Sequence, residues 1–297
     1  MFKKTALATT FVLAASAIST NAMAWGDEGH EIVGLIASHY LKPTVMAKVT
    51  QLLETDPTQL TATDIEHEAT WADKYRDSDR NTTKVRYNLT HNWHFVDIEI
   101  HGGNLDKACF RHPAPSPTGA SNGPANDCVV DKINEFASEL KAPGTSAAER
   151  RLDLQFLLHF VGDVHQPLHA SDDHDQGGNA KLVTAAGEQD GKLHGYWDTQ
   201  FVQRLGTDPT IVANSLIARI SAADEVAWAK GRAADWAQEA YQLSVSQVYA
   251  TLPAPGPSGV YALPASYVTN ASQVVAQQLS KAGVRLASVL NAALGQP

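Results

Sequence analysis

Two stretches constrain this chain more than any others: HFVGDVHQPLH at 159–169 and LHGYWD at 193–198. Each holds a histidine and an aspartate four residues apart, His159 with Asp163 and His194 with Asp198. On a helix that spacing sets both side chains on one face. Leu157, Leu158 and Phe160 wrap the first pair in apolar surface, and Leu193 and Trp197 flank the second. A single pair of this kind also fits an exposed helical ion pair, worth about 0.3 kcal/mol. Two of them in apolar settings are hard to account for as surface decoration. A partly buried histidine and carboxylate on one face can hold a divalent metal as preformed ligands.

Other chemistry-bearing residues sit in similar surroundings. WGDEGH supplies His30, WADKYR supplies Asp73 and Arg76, and WHFVD supplies His94, Phe95 and Asp97. His169 lies just beyond Pro167, where the chain must turn. Five histidines and four carboxylates are too many for one zinc and suit a cluster. The remaining histidines, 39, 67, 91, 101, 112, 165 and 174, fall outside these stretches and read as surface or second-face residues.

Hydrophobic periodicity is mostly helical. It predicts helices over 28–41, 44–54 and 64–75 (with Thr63 as cap), then 127–141, 146–166 and 191–205, and three more in the C-terminal third. Ser146 three residues before Glu149 is a capping-box pattern. WHFVDIEI alternates and is β-branched, and NAKLVTA is a second strand candidate, so the two form a candidate hairpin. The fold class is all-α: a single mainly helical domain with a minor β hairpin.

The first 24 residues resemble an export signal: Lys3 and Lys4, an apolar run to Ile18, then Ala22-Met23-Ala24. The expectation is cleavage after Ala24, leaving a domain over 25–297 that is exported to the periplasm or secreted. No later stretch suggests a membrane span. Removing the two lysines takes the net charge from −9 to −11. Such a chain does not attract nucleic acid through its overall field, so any phosphate binding needs a local positive source. Cys109 and Cys128 are the only cysteines, and in an exported protein they are expected to pair across a Pro- and Gly-rich loop.

Taken in order, WGxxGH, WAD with Arg76, WHFVD, HFVGDVHQPLH, GGN and LHGYWD resemble the zinc-dependent, single-strand-preferring nucleases of the S1/P1 type. The plain leader points to a bacterial member. The resemblance runs from Trp25 to about Asp198 and implies a phospholipase C/nuclease-like fold with three zinc ions at the bottom of a cleft. It assigns one zinc to Asp73, His94, His159 and Asp163. A second goes to the Trp25 amine and carbonyl, His30 and the shared Asp163, and a third to His169, His194 and Asp198. It also implies base stacking on Phe95, base contact by Asn179, and close approach at Gly178. Arg76 is placed to neutralise phosphoryl charge, or to make a helix-end salt bridge. Asp97 is placed to orient the attacking water, or to hold a ligand histidine.

The implied activity is endonucleolytic hydrolysis of single-stranded DNA and RNA to 5′-phosphates, with 3′-nucleotidase activity, by a monomer without an obligate protein partner. Two rivals stand beside it. A zinc phospholipase C acting on phosphatidylcholine shares the ligand plan but ends it with Glu where Asp198 stands, and lacks a counterpart of GGN. A zinc-storage protein would need no arginine at the metals and favours closed coordination.

Overall fold

The structure is a computed structural model that describes residues 25–295. The expected export signal lies outside the described residues. The N-terminal half consists of α1 (Asp27–Tyr40), α2 (Pro43–Leu53), α3 (Ile65–Glu68), α4 (Trp71–Asp77), α5 (Val85–Thr90), α6 (Leu105–Ala108) and α7 (Val129–Lys141). Then come α8 (Ala147–Asp163), strands β1 (Leu182–Ala185) and β2 (Gly191–Lys192), α9 (Leu193–Gly195) and α10 (Phe201–Gln203). The chain closes with α11 (Pro209–Ile217), α12 (Ala222–Trp228), α13 (Ala233–Leu243), β3 (Tyr261–Leu263) and α14 (Ala265–Leu294).

The centre of the molecule is α8. Every residue from Asp153 to Asp163 is buried, so beyond its first turns this helix has no solvent face, and it packs against α7, α1, α2, α4 and α14. The long α14 lies across α1, where Gly283 lets the two helices approach; a Cβ there would collide with Ile36. At the start of α8 half of the expected capping box forms. Ser146 accepts from the Glu149 amide at 3.2 Å. The Glu149 carboxylate instead accepts from the Ser121 amide and hydroxyl at 3.0 and 2.9 Å, tying down the long loop. That loop is closed by the expected Cys109–Cys128 disulfide. The buried Lys132 also holds it, donating to the Ala120 and Gly123 carbonyls at 3.0 and 2.7 Å.

Several local expectations are corrected. The helix expected over 64–75 breaks at Ala69–Thr70 into α3 and α4, and its cap is Asp64 rather than Thr63. WHFVDIEI is not a hairpin strand: His91–His94 is a 3₁₀ turn, and the extended remainder makes one isolated parallel bridge, Glu99 with Asp172. Its alternation survives as side-chain direction, with Val96 and Ile98 buried while Asp97 faces outward. The small sheet has order β2-β1-β3, with β1 antiparallel to β2 and parallel to β3. The helix expected over 191–205 begins at Leu193 and contains a π-helical turn, Tyr196–Gln200. The C-terminal third holds four helices, α11 to α14, rather than three.

Asp153 on α8 is fully buried, and its carboxyl lies within hydrogen-bonding reach of the Glu139 carboxyl. Burial, then repulsion from Glu139 and Glu149, pushes its carboxyl up to about 9. The folded protein therefore holds this proton far more tightly than the unfolded chain, whose aspartates titrate at about 3.9. Stability is full below that value and is lost as the pH rises toward 9. Glu68, Asp97 and Asp127, raised by burial to about 7, finish titrating in the lower part of the range tested below, and they and the raised Asp163 and Asp198 carboxyls act equally on wild type and variant. Urea unfolding from pH 7.5 to 9 should show falling stability, by at most about 1.4 kcal/mol per pH unit for one group. Asp153→Asn should flatten that fall; an unchanged slope in the variant rules this assignment out.

Candidate metal centre

The C-terminal end of α8 brings His159 and Asp163 into the interior, both fully buried. Around Asp163 stand three imidazoles from three other turns of chain. His94 Nδ1 lies 3.0 Å from its carboxylate, His159 Nε2 3.4 Å and His30 Nε2 3.5 Å. Asp73, on α4, faces the same imidazoles, 3.4 Å from His94 and 3.5 Å from His159. The His30 ring stacks on His159 at 3.7 Å between centroids. A second group forms beside it: His169 Nε2 lies 3.1 Å from His194 Nε2, which lies 3.4 Å from an Asp198 oxygen.

Backbone carbonyls set the orientation of three of these rings. His159 Nδ1 donates to the Ala69 carbonyl at 2.7 Å, which is exposed to it by the break between α3 and α4. His169 Nδ1 donates to the His94 carbonyl at 2.8 Å, and His194 Nδ1 to the Gly177 carbonyl at 2.6 Å. Each bond fixes Nδ1 as a donor and turns Nε2 into the cluster. Gln166 donates to one Asp198 oxygen at 2.6 Å and leaves the other facing the cluster. The π-helical turn follows His194 and contains Asp198, as such bulges often do at functional sites.

Trp25 is fully buried against this assembly. Its indole donates to the Gly162 carbonyl at 2.8 Å, and the Gly26 amide donates to the Asp198 carbonyl at 2.8 Å. Gly162 has to be small: a Cβ there would lie 2.9 Å from His30 Nδ1. The first described residue is thus pinned between the end of α8 and the turn that carries Asp198.

The electrostatics of the cluster are unbalanced in the protein alone. Burial pushes the Asp163 and Asp198 carboxyls well above the ordinary range. Burial also acts upward on Asp73, but Arg76, His159 and His94 outweigh it and hold that carboxyl low. Burial lowers His169 to about 3 and His194 to about 4, so both rings are neutral and ready to ligate. Asp73 Oδ2, Asp163 Oδ1, Asp198 Oδ2 and His159 Nε2 are buried without a hydrogen-bond partner. Such groups are costly unless something satisfies them. Three triads have ligand atoms within 4.8 Å of one another: His30, His159 and Asp163; Asp73, His94 and His159; His169, His194 and Asp198. The donor set fits divalent cations with nitrogen and oxygen ligands.

Above the cluster opens a cavity of ≈ 310 Å³, lined among others by Arg76, Phe95, Asp97, Asn179, His169 and His194. Arg76 bonds Asp73 at 2.5 Å and grips Asp77 with two nitrogens at 2.9 and 3.0 Å. Asp97 is reached by solvent at the cleft mouth yet surrounded by protein. Loss of bulk solvation, then repulsion from Asp172, Glu99 and Asp175, raises its carboxyl to about 7. The charges that act on it are those of carboxylates. Asn179 donates to the Gln176 carbonyl at 3.0 Å, and its Oδ1 is unpartnered. Gly178 lies behind the lining, which Gly177 forms instead.

Of the other histidines, 39, 67, 101, 112 and 174 are exposed. His165 is not on the surface: it is buried, donating to the Val161 carbonyl at 2.6 Å and accepting from Arg285 at 2.8 Å. His91 lines the cavity. Sequence reasoning missed the orienting groups, Gln166 and the carbonyls of Ala69, His94 and Gly177. Only Gln166, inside the HQPLH run, carried a signal that could have found it.

A sequence model of the S1/P1 nuclease family matches residues 25–295. Nuclease P1 of Penicillium citrinum is 27% identical over 289 residues, covering 90% of this chain and 97% of that protein. Endonuclease 2 of Arabidopsis thaliana is 27% identical over 297 residues, covering 93% and 92%. Nuclease S1 of Aspergillus oryzae is 31% identical over 181 residues, covering 59% and 53%.

Proposed function

The chain belongs to the S1/P1 nuclease family of phosphodiester hydrolases, and from that premise we propose that it is a three-zinc endonuclease of single-stranded DNA and RNA. The observation that carries this reading is the set of buried, unpartnered ligand atoms at the floor of a cleft whose walls are Arg76, Phe95, Asp97 and Asn179. Asp73, His94, His159 and Asp163 would hold one zinc. Trp25, through a free amine and its carbonyl, would hold a second with His30 and Asp163. His169, His194 and Asp198 would hold the third. Bound zinc supplies Lewis acidity toward phosphoryl oxygens and lowers the pKa of water to about 7.

The chain's own groups do the rest. Arg76 is immobilised by Asp73 and Asp77, so it meets phosphoryl charge at little reorganisation cost. Asp97, at about 7, orients the attacking water and takes up its proton near neutral pH. Phe95 stacks one unpaired base and the Asn179 amide contacts it. Stacking is worth about 1–3 kcal/mol per base and needs a base outside a duplex. Cleavage releases a 5′-phosphate, and a 3′-mononucleotide is a second substrate. The dications reconcile phosphate binding with a chain of net charge −9. The protein acts as a monomer after export through a cleavable signal. The disulfide fits an oxidising compartment, and no helix among the described residues is long and apolar enough to cross a membrane.

The test assays single-stranded DNA, RNA, a 3′-mononucleotide and phosphatidylcholine, each with and without chelator. Cleavage of the first three, lost with chelator and restored by zinc, is expected. Hydrolysis of phosphatidylcholine alone overturns the reading in favour of a phospholipase, and zinc binding without any hydrolysis favours storage.

A further inference from the structure

Beside the metal cavity, α5 and the 3₁₀ turn after it place Tyr87, His91 and Phe95 at four-residue intervals. His91 and Phe95 line the cavity. The His91 ring meets Phe95 edge-on, with centroids 5.6 Å apart at 73°. On its other side it stacks on Tyr87 at 5.0 Å and 20°. The Arg80 guanidinium lies over the Tyr87 ring, 5.0 Å from its centroid. The row is fixed from behind: Asp79 accepts from the Arg86 and Tyr87 amides at 2.9 and 3.1 Å and from Thr83 at 2.8 Å.

Core packing does not account for this row. His91 is exposed, Tyr87 is half-buried, and the adjacent Val85 is 67% exposed. Loss of solvation, then Arg76 and Arg80, lowers the His91 pKa, so at neutral pH it is a neutral aromatic ring. The charge here also departs from the rest of the chain. Residues 76–91 carry Arg76, Arg80, Lys84 and Arg86 against Asp77 and Asp79, a positive excess within a chain of net charge −9. Aromatic rings interleaved with guanidinium groups make a surface on which single-stranded nucleic acid binds without sequence preference.

Resting on the nuclease reading, we propose that the Tyr87–His91 pair with Arg80 is a binding site for the nucleotide that flanks the one stacked on Phe95. Its base rests on the prestacked rings and its phosphate faces Arg80. Because the rings are already ordered, little side-chain freedom is lost on binding. A duplex cannot use the platform, since its bases are already stacked. The site therefore adds to single-strand selectivity and makes turnover depend on substrate length.

The experiment compares kcat/KM of the zinc-loaded enzyme for a single-stranded hexanucleotide and for a dinucleotide. For wild type the hexanucleotide is the better substrate. In His91→Ala and Tyr87→Leu the hexanucleotide-to-dinucleotide ratio is expected to fall about tenfold, in line with the loss of one stacked base. Tyr87→Phe, which keeps the ring, should keep the ratio. Arg80→Gln should flatten the slope of log kcat/KM against log salt by about 0.7, one phosphate contact. A wild-type ratio in both ring-removing variants overturns the proposal, as does a Tyr87→Phe ratio as low as that of Tyr87→Leu. Should the ring variants fail to fold, an unchanged salt slope in Arg80→Gln overturns it. A wild-type enzyme that cleaves neither substrate indicts the nuclease reading itself.

Discussion

Asp163→Asn is expected to remove two zinc ions per chain, not one, and to lower cleavage of single-stranded DNA by at least about 1000-fold. The reason is position. The Asp163 carboxylate lies within 3.0–3.5 Å of imidazoles that belong to two triads, His94 and His159 on one side and His30 on the other. An amide in its place keeps the shape but loses the charge that two shared metals would need. Each electrostatic contributor at a reacting phosphate is worth roughly 100- to 1000-fold, and two are lost together. His194→Ala is the internal control, since His194 lies in the third triad alone and its loss should remove one ion.

Stability gives an independent readout of the same residue. Burial raises the Asp163 carboxyl above its unfolded value, so without metal its ionised form weakens the fold as pH rises. With chelator at neutral pH, Asp163→Asn should therefore unfold at a temperature at least as high as wild type; with zinc it should unfold lower. The decisive measurements are metal content after dialysis, activity, and melting with and without zinc. An Asp163→Asn protein holding three ions, or losing only one, contradicts the shared-ligand assignment.

How much of this was legible in the sequence follows from where the causes lie. The clustering of these histidines and aspartates was readable because short spacings on helices dictate shared faces, and α8 announced itself as one strong, apolar pattern. The break at Ala69 was not readable. Its consequence is tertiary: a carbonyl presented to His159, whose ring comes from a helix 90 residues away. The orienting carbonyls of His94 and Gly177 carry no side-chain signature at all. One partner of β1 is β3, about eighty residues later, and nothing local specifies that pairing. WHFVDIEI misled for a related reason. Period-two alternation reports extended chain, but a ladder needs a neighbouring strand, and the neighbour here is the short turn at 169–172. Tyr87 and His91 were readable only as two separated aromatic residues. Their stacking beside the cavity is a tertiary feature.

A protein with extra residues ahead of Trp25 should bind one zinc fewer and lose at least about 100-fold in activity, the contribution of one electrostatic group. Trp25 is where chain processing and site chemistry would meet. Its side chain is buried against Gly162, and the next amide, Gly26, is bonded to the Asp198 carbonyl, so the backbone at this point is held beside His30 and Asp163. A peptide nitrogen has no lone pair to give, whereas an α-amine does once deprotonated, with an ordinary pKa of about 7.7–8.0 that a cation lowers. Two versions should be compared: one cleaved so that Trp25 is the first residue, and one retaining two small residues before it. The extension changes no side chain, so unequal zinc content or activity traces to the amine itself. Cleaving the extended version in vitro, in the presence of zinc, should restore both. Affinity of the disputed ion should also weaken as pH falls below the amine's pKa, by up to tenfold per unit for that one proton. Three ions and full activity in the extended protein would eliminate the terminal amine as a ligand, and with it any need for processing to complete the site.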